Sequence, residues 1–172
     1  MRIKHRTQLR TKELRQLLEK LEEQPSLIHR VLRDSSSRKV SVERFILEDK
    51  SQLYFVDGEL WLFTLQTQLI PGLPALIADN VQLPQVVVDM GAVPHIANGA
   101  DVMAPGIVSV NNQLEVGNLS VVIDQKNRVP IAVGRMLLSP EGILASKKGR
   151  ALETLHYVGD QVWKLAKELS EG

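Results

Sequence analysis

The chain of 172 residues contains no cysteine, which excludes disulfides and every Cys-ligated zinc or iron–sulfur site. Aromatic residues are scarce: three Phe, two Trp and two Tyr. The core must therefore be built from Leu, Val and Ile, and extensive base stacking on aromatic platforms is not expected. No apolar run approaches the roughly 18–20 residues of a membrane span. The start, Met1-Arg2-Ile3-Lys4-His5-Arg6, carries charge with no apolar segment behind it, unlike a signal peptide. The four histidines, His5, His29, His95 and His156, lie far apart, and none belongs to a His-Glu-x-x-His pair. There is no Walker loop and no nucleophile-elbow pattern. A cytoplasmic, non-catalytic protein with no metal, cofactor or membrane partner is the expectation.

What is present is ordinary for a globular protein: 44% hydrophobic and 24% charged residues, long enough for one medium or two small domains. The net charge of +1 conceals an asymmetry. Residues 1–50 hold 13 Lys/Arg against 8 Asp/Glu, a surplus of five, and residues 51–172 hold 8 against 12. Within the second part, Lys126, Arg128, Arg135, Lys147, Lys148 and Arg150 face only Glu141 across residues 126–150. Two basic regions on a near-neutral chain point to a polyanion or to solvated basic faces.

The chain opens on a basic, extended stretch over residues 2–10. A helix follows with Thr11 at its N-cap and Glu13 in its first turn, where Leu14, Leu17, Leu18 and Leu21 form one apolar face. Gln24-Pro25 stops it, and Leu27, Ile28, Val31 and Leu32 repeat the helical spacing before the polar break Ser35-Ser36-Ser37. Residues 40–47 read as a strand, and Asp57-Gly58 as a two-residue hairpin turn between strands 52–56 and 59–65. A short helix or turn covers residues 75–78, and a domain boundary is placed near Leu83-Pro84.

The most informative stretch runs over residues 86–107. Val86, Val87 and Val88 read as a buried strand, Gly91 as a tight turn and Pro94 as the start of a short helix that Asn98-Gly99 ends. A strand of about five residues is expected from Asp101 to the break at Pro105-Gly106. Asp89 and Asp101 are expected to accept hydrogen bonds from backbone NH groups at a turn and a helix end, rather than to act as a catalytic carboxylate pair. Beyond it, strands at 116–123 and 129–138 flank the polar turn 124–127. Ser139-Pro140-Glu141 starts a helix that Gly149 closes, so Lys147 and Lys148 are either dipole partners or phosphate contacts. Near the end, Val162, Leu165, Ala166 and Leu169 have helical spacing, yet Gly159-Asp160 is also a hairpin signal.

The pattern Val-Asp-x-Gly-Ala at 88–92, Gly-Ala-Asp-Val-Met at 99–103 and Pro-Gly-Ile at 105–107 resembles the signature of the PUA domain, the RNA-binding module of pseudouridine synthases and archaeosine transglycosylases. The string Val56-Asp57-Gly58-Glu59-Leu60-Trp61-Leu62-Phe63 and the closing 149–157 and 161–163 segments are similar to the malignant-T-cell-amplified-sequence and ligatin family. The absence of cysteine and the short C-terminus resemble its archaeal members. This resemblance implies an α+β protein: an N-terminal α/β (pre-PUA) domain over residues 1–82, a PUA β-pseudobarrel with short helices over 83–165, and a short helix or tail over 166–172. It also favours the hairpin at Gly159-Asp160, because a PUA domain closes with strands there. The implied function is non-catalytic binding of structured RNA, tRNA or rRNA, in translation, with the small ribosomal subunit and an initiation-factor-like protein as partners. Carried onto this chain, the RNA surface comprises Gly91, Ala92, His95, Gly99, Ala100, Asp101, Met103, Pro105 and Gly106, with part of 156–164 opposite. Arg135, Lys147, Lys148 and Arg150 add charge, and the 2–15 arm reaches a second RNA segment. An accessory module for an RNA-modifying enzyme and a protein-interaction adaptor remain as other readings.

Overall fold

The computed structural model describes residues 1–22, the backbone of 28–29, and 40–172. The expected helical repeat at Leu27, Val31 and Leu32 and the break at residues 35–37 lie outside the described residues. The described chain forms two compact units. One holds Met1–Gln82 with Gln161–Gly172, the other Leu83–Asp160.

The first unit is an antiparallel sheet of five strands in the order β1 (Ile3–Gln8), β3 (Val42–Leu47), β4 (Gln52–Val56), β5 (Glu59–Leu65) and β6 (Gln68–Pro71). The short β2 (Ile28–His29) pairs separately with β7 (Val81–Gln82). Asp57 and Gly58 both take positive φ, as a tight turn between β4 and β5 requires. The apolar density of these two strands buries Leu53, Phe55, Leu60 and Phe63. Helix α2 (Leu73–Ile77) packs on β5, and its entry needs Gly72, where a Cβ would stand 2.7 Å from the Leu60 carbonyl oxygen.

Helix α1 (Thr11–Glu22) buries Leu17 and Leu21 of the leucine stripe. Thr11 is its first residue rather than its cap. The N-terminus is instead closed by Glu13, whose carboxylate accepts the Arg10 N–H at 3.0 Å and an Arg44 guanidinium N–H at 3.0 Å. The backbone bond from Arg10, aided by Arg44, holds the Glu13 pKa below its usual value. The basic start is not a loose arm but the exposed edge strand β1, where Arg6 pairs with Glu43 and covers the Phe45 ring.

The second unit is a six-stranded sheet ordered β10-β8-β11-β12-β13-β9. Its strands are β8 (Gln85–Val88), β9 (Val102–Met103), β10 (Ile107–Val110), β11 (Leu119–Asp124), β12 (Pro130–Met136) and β13 (Arg150–Tyr157). The two edge strands, β9 and β10, are separated only by one 3-10 turn, Ala104–Gly106. That short connection curls the sheet into a nearly closed barrel and shortens its free edges. Val86, Val88, Val122, Met136 and Leu152 fill it, together with Ile96 from helix α3 (Val93–Ala97) and Ile143 from helix α4 (Pro140–Ser146). Burying each such side chain is worth about 1.5–3 kcal/mol.

Three local expectations are corrected. The strand expected from Asp101 is only two residues long, because β9 pairs with β13 solely at Val102 and Met103 and Pro105 then lies in the 3-10 turn. Helix α4 is capped at its start by the Ser139 hydroxyl, which accepts the Gly142 N–H at 3.0 Å, but its left-handed C-cap is Lys147 rather than Gly149. The hairpin expected after Gly159-Asp160 is not formed. Residues Gln161–Glu171 are helix α5, grouped with the first unit, where Ala166 is buried and the helix packs on β5. The apolar spacing of Val162, Leu165, Ala166 and Leu169 prevails, since it gives one face to bury. Asp160 is drawn back into the second unit, accepting the Tyr157 N–H at 3.1 Å and contacting His156 Nδ1 at 2.7 Å.

Candidate nucleic-acid interface

The turn after β8, helix α3, strand β9 and the 3-10 turn enclose one side of a cavity of about 750 Å³. The size lies within the roughly 300–1,000 Å³ of small-ligand sites. Gly91, Ala92, Ala100, Met103, Pro105 and Gly106 line it, as do the side chains of His95, Asp101 and Arg150. Nine of the thirteen residues that the sequence marks for RNA contact thus meet on one surface. Ile96, Val102 and Asp89, absent from that set, complete it.

Each element is held by a definable interaction. The Asp89 carboxylate accepts the Ala92 N–H at 2.8 Å, which fixes the entry to α3. Asp89 N–H donates to the Gly106 carbonyl at 2.9 Å, joining the two glycine segments. A Cβ on Gly106 would lie 3.0 Å from that of Ala92, so glycine allows the two segments this approach. Gly91 does not have positive φ, and a Cβ there would meet only the Asp89 carboxylate at 3.4 Å. It lies in the expected turn, closed by the Ala92 N–H donating to the Asp89 carbonyl at 3.2 Å, and leaves the wall bare there.

Asp101 has a longer reach than a helix-end acceptor. One oxygen accepts the Thr154 N–H at 2.9 Å and the other pairs with the Arg150 guanidinium at 2.8 Å. It therefore ties the cavity wall to β13 and aims Arg150, the single Lys or Arg side chain of the lining. Both aspartates are engaged as acceptors.

The remaining marked residues sit elsewhere. Gly99 has φ +86 and lies against the Tyr157 ring, ending α3 from beneath rather than lining the cavity. Arg135 pairs with Glu153 at 3.3 Å. Lys147 and Lys148 are exposed in the turn after α4, whose Gly149 carbonyl accepts the Ala104 N–H at 2.9 Å. Of the face expected across residues 156–164, His156 is fully buried, and residues 161–164 belong to α5 of the other unit. Among the described residues no group of three or more His, Asp or Glu could hold a metal ion, and no helix is long and apolar enough to cross a membrane.

The β11–β12 turn, which the marked set omits, is bonded to β8 through Gln125 N–H and the Val88 carbonyl at 3.0 Å. The buried Asp124 carboxylate accepts the N–H groups of Asn127 and Val129. Those backbone bonds, with Asn127 the largest, hold its pKa below the usual carboxylate value. Because the folded pKa is depressed, the stabilisation is complete above the unfolded value of about 3.9 and is lost as pH falls through the folded one. Asp124→Asn is accordingly expected to lower the melting temperature at neutral pH, by an amount that shrinks in scans at about pH 3.

With this geometry in hand, the relationships of the chain are clear. Residues 84–158 match the PUA domain and residues 1–78 the Pre-PUA-like domain. An uncharacterised protein of Methanocaldococcus jannaschii is 37% identical over 73% of this chain and 77% of its own. Translation machinery-associated protein 20 of Saccharomyces cerevisiae is 31% identical over 95% of this chain and 93% of its own. Human malignant T-cell-amplified sequence 2 is 28% identical over 92% and 90%. A PUA-domain crystal structure from Aeropyrum pernix superposes with a TM-score of 0.80 at 28% identity, covering 96% of this chain and 92% of that one. The chain belongs to the Pre-PUA and PUA family of translation machinery-associated protein 20 and the malignant T-cell-amplified sequence proteins, of which it resembles the archaeal members.

Proposed function

We propose that the protein is a non-catalytic, translation-associated RNA-binding protein, whose cavity seats the unpaired 3′ end of tRNA or a comparable unpaired segment of small-subunit rRNA. The observation that carries this reading is the cavity itself: bare glycine backbone and apolar wall on one side, and one oriented guanidinium on the other. The exposed Met103 and Pro105 suit the face of a base, while main-chain N–H groups and Arg150 suit ribose and phosphate. The names of the fungal relatives, which place those proteins with the translation machinery, support the cellular setting. The reading takes the small ribosomal subunit and an initiation-factor-like protein as the protein's company in the cytoplasm.

A gel-shift titration of tRNA with and without its single-stranded 3′ end tests this. Removal of the end is expected to weaken binding by about tenfold or more, as for the loss of one well-placed charged contact. Equal affinity for both would contradict end recognition. Arg150→Glu is expected to weaken binding of intact tRNA about thirtyfold, a loss of about 2 kcal/mol. Its melting temperature should hardly move, because the Arg150–Asp101 pair is 57% and 29% exposed, and exposed pairs are worth about 0–1 kcal/mol.

A further inference from the structure

We propose that Lys126 and Arg128 form a second phosphate anchor, so that an RNA strand is gripped on both sides of the nucleotide seated in the cavity. The proposal rests on the RNA reading of the cavity given above. Its starting point is the parallel pairing of β8 and β11, which sets Asp124 beside Val88. Gln125 N–H then donates to the Val88 carbonyl at 3.0 Å. Lys126 is therefore one residue from a bond to the residue that precedes Asp89, a lining residue of the cavity. The Lys147–Lys148 turn is attached to buried Ala104, which lies between the lining residues Met103 and Pro105, through Ala104 N–H and the Gly149 carbonyl at 2.9 Å. One basic turn is thus bonded next to Asp89 and one next to Arg150.

The backbone marks the same two turns. Within residues 83–160, only two non-glycine residues have positive φ: Arg128 at 60° and Lys147 at 47°. Gly, Asn and Asp are the usual occupants of such positions, and a long basic side chain gains nothing from them locally. Both turns nonetheless carry one. In the first, Arg128 N–H donates to the Asp124 carbonyl at 3.1 Å and the Asp124 carboxylate secures the turn from within. Gln125, Lys126, Asn127 and Arg128 are left exposed on the outside.

The ion pairs separate these cations from their neighbours. Of the six basic residues across 126–150, Arg135 pairs with Glu153 and Arg150 with Asp101. Among the described residues Lys126, Arg128, Lys147 and Lys148 have no carboxylate within ion-pair distance. Arg128 bonds only a neutral partner, the Gln85 side-chain oxygen at 3.5 Å, so four cations free of carboxylates, two on each turn, are available to a ribose-phosphate backbone crossing the cavity. Such contacts position RNA without reading its sequence.

The test uses the full chain carrying Lys126→Ala with Arg128→Gly. Glycine accepts the positive φ, so the melting temperature should hold or rise, and any loss of binding is not a loss of fold. Two RNAs are compared, a hairpin with a single-stranded 3′ tail and the tail alone. For the hairpin, the variant should bind about tenfold more weakly at about 50 mM salt, and the slope of log affinity against log salt should fall by about 1.4–1.8, two phosphates' worth. The tail alone, which crosses the cavity in the same way, should also lose affinity and slope, and Arg150→Ala should weaken both RNAs. Arg128→Lys should behave as the parent protein. An unchanged hairpin slope, with Arg150→Ala still weakening both RNAs, overturns the second anchor and leaves the cavity reading standing. A reduced slope with Arg150→Ala without effect overturns the two-sided grip together with the cavity reading.

Discussion

Raising the salt from about 50 to about 200 mM is expected to weaken tRNA binding by roughly 100- to 500-fold. Each neutralised phosphate contributes about 0.7–0.9 to the slope of log affinity against log salt. Five cations of the second unit are offered to RNA in the account above: Lys126, Arg128, Lys147, Lys148 and Arg150. Their combined slope of about 3.5–4.5 acts over a fourfold change in salt. A filter-binding series over that range measures it. Base-edge contacts in an apolar cavity would add affinity but hardly any slope, so a slope near one would mean that the basic turns take no part. A slope well above five would bring in the exposed cations of β1, of which Arg6 is already paired with Glu43.

The second large effect is on stability. Gly99→Ala is expected to destabilise the protein by about 2–5 kcal/mol. A left-handed backbone costs an L residue about 1–2 kcal/mol, and overpacking adds about 1–3. At Gly99 both apply: φ is +86, and a Cβ would meet the Tyr157 ring at 2.8–3.0 Å. Gly117→Ala is the matched control. Its φ is +90 but a Cβ there meets nothing within 4 Å, so only the backbone term of about 1–2 kcal/mol should appear. Denaturant melts of the two variants separate strain from packing. Because Gly99 follows the C-cap of α3, the alanine variant should also lose RNA affinity, whereas Gly117→Ala should not.

Local chemistry made much of the site legible in the sequence. Pro94 and Asn98-Gly99 bracket α3, Asp57-Gly58 turns β4 into β5, and Ser139 starts α4, each from interactions within four residues. What the sequence hid depends on distant partners. Nothing near Asp101 reveals that it reaches Thr154 and Arg150 across about fifty residues. Pairing with β13 decides where β9 ends, and the turn chemistry of Pro105-Gly106 is silent on it. At 159–165 two local signals competed, a hairpin turn and an apolar helical face. Burial of Ala166 in the first unit decides for the helix. Lys126 and Arg128 stood out only as charge, and the parallel β8–β11 pairing, invisible in periodicity, joins their turn to Val88, the residue before Asp89.

The most direct measurement of the central claim is an NMR titration of the isotope-labelled full chain with the tailed hairpin RNA. Amides of Gly91, Ala92, Ala100, Met103 and Gly106 should shift first, with Arg150 and the two basic turns following at the same RNA concentration. Shifts confined to residues 1–22 or to α5, with the cavity amides unmoved at saturation, would contradict the account.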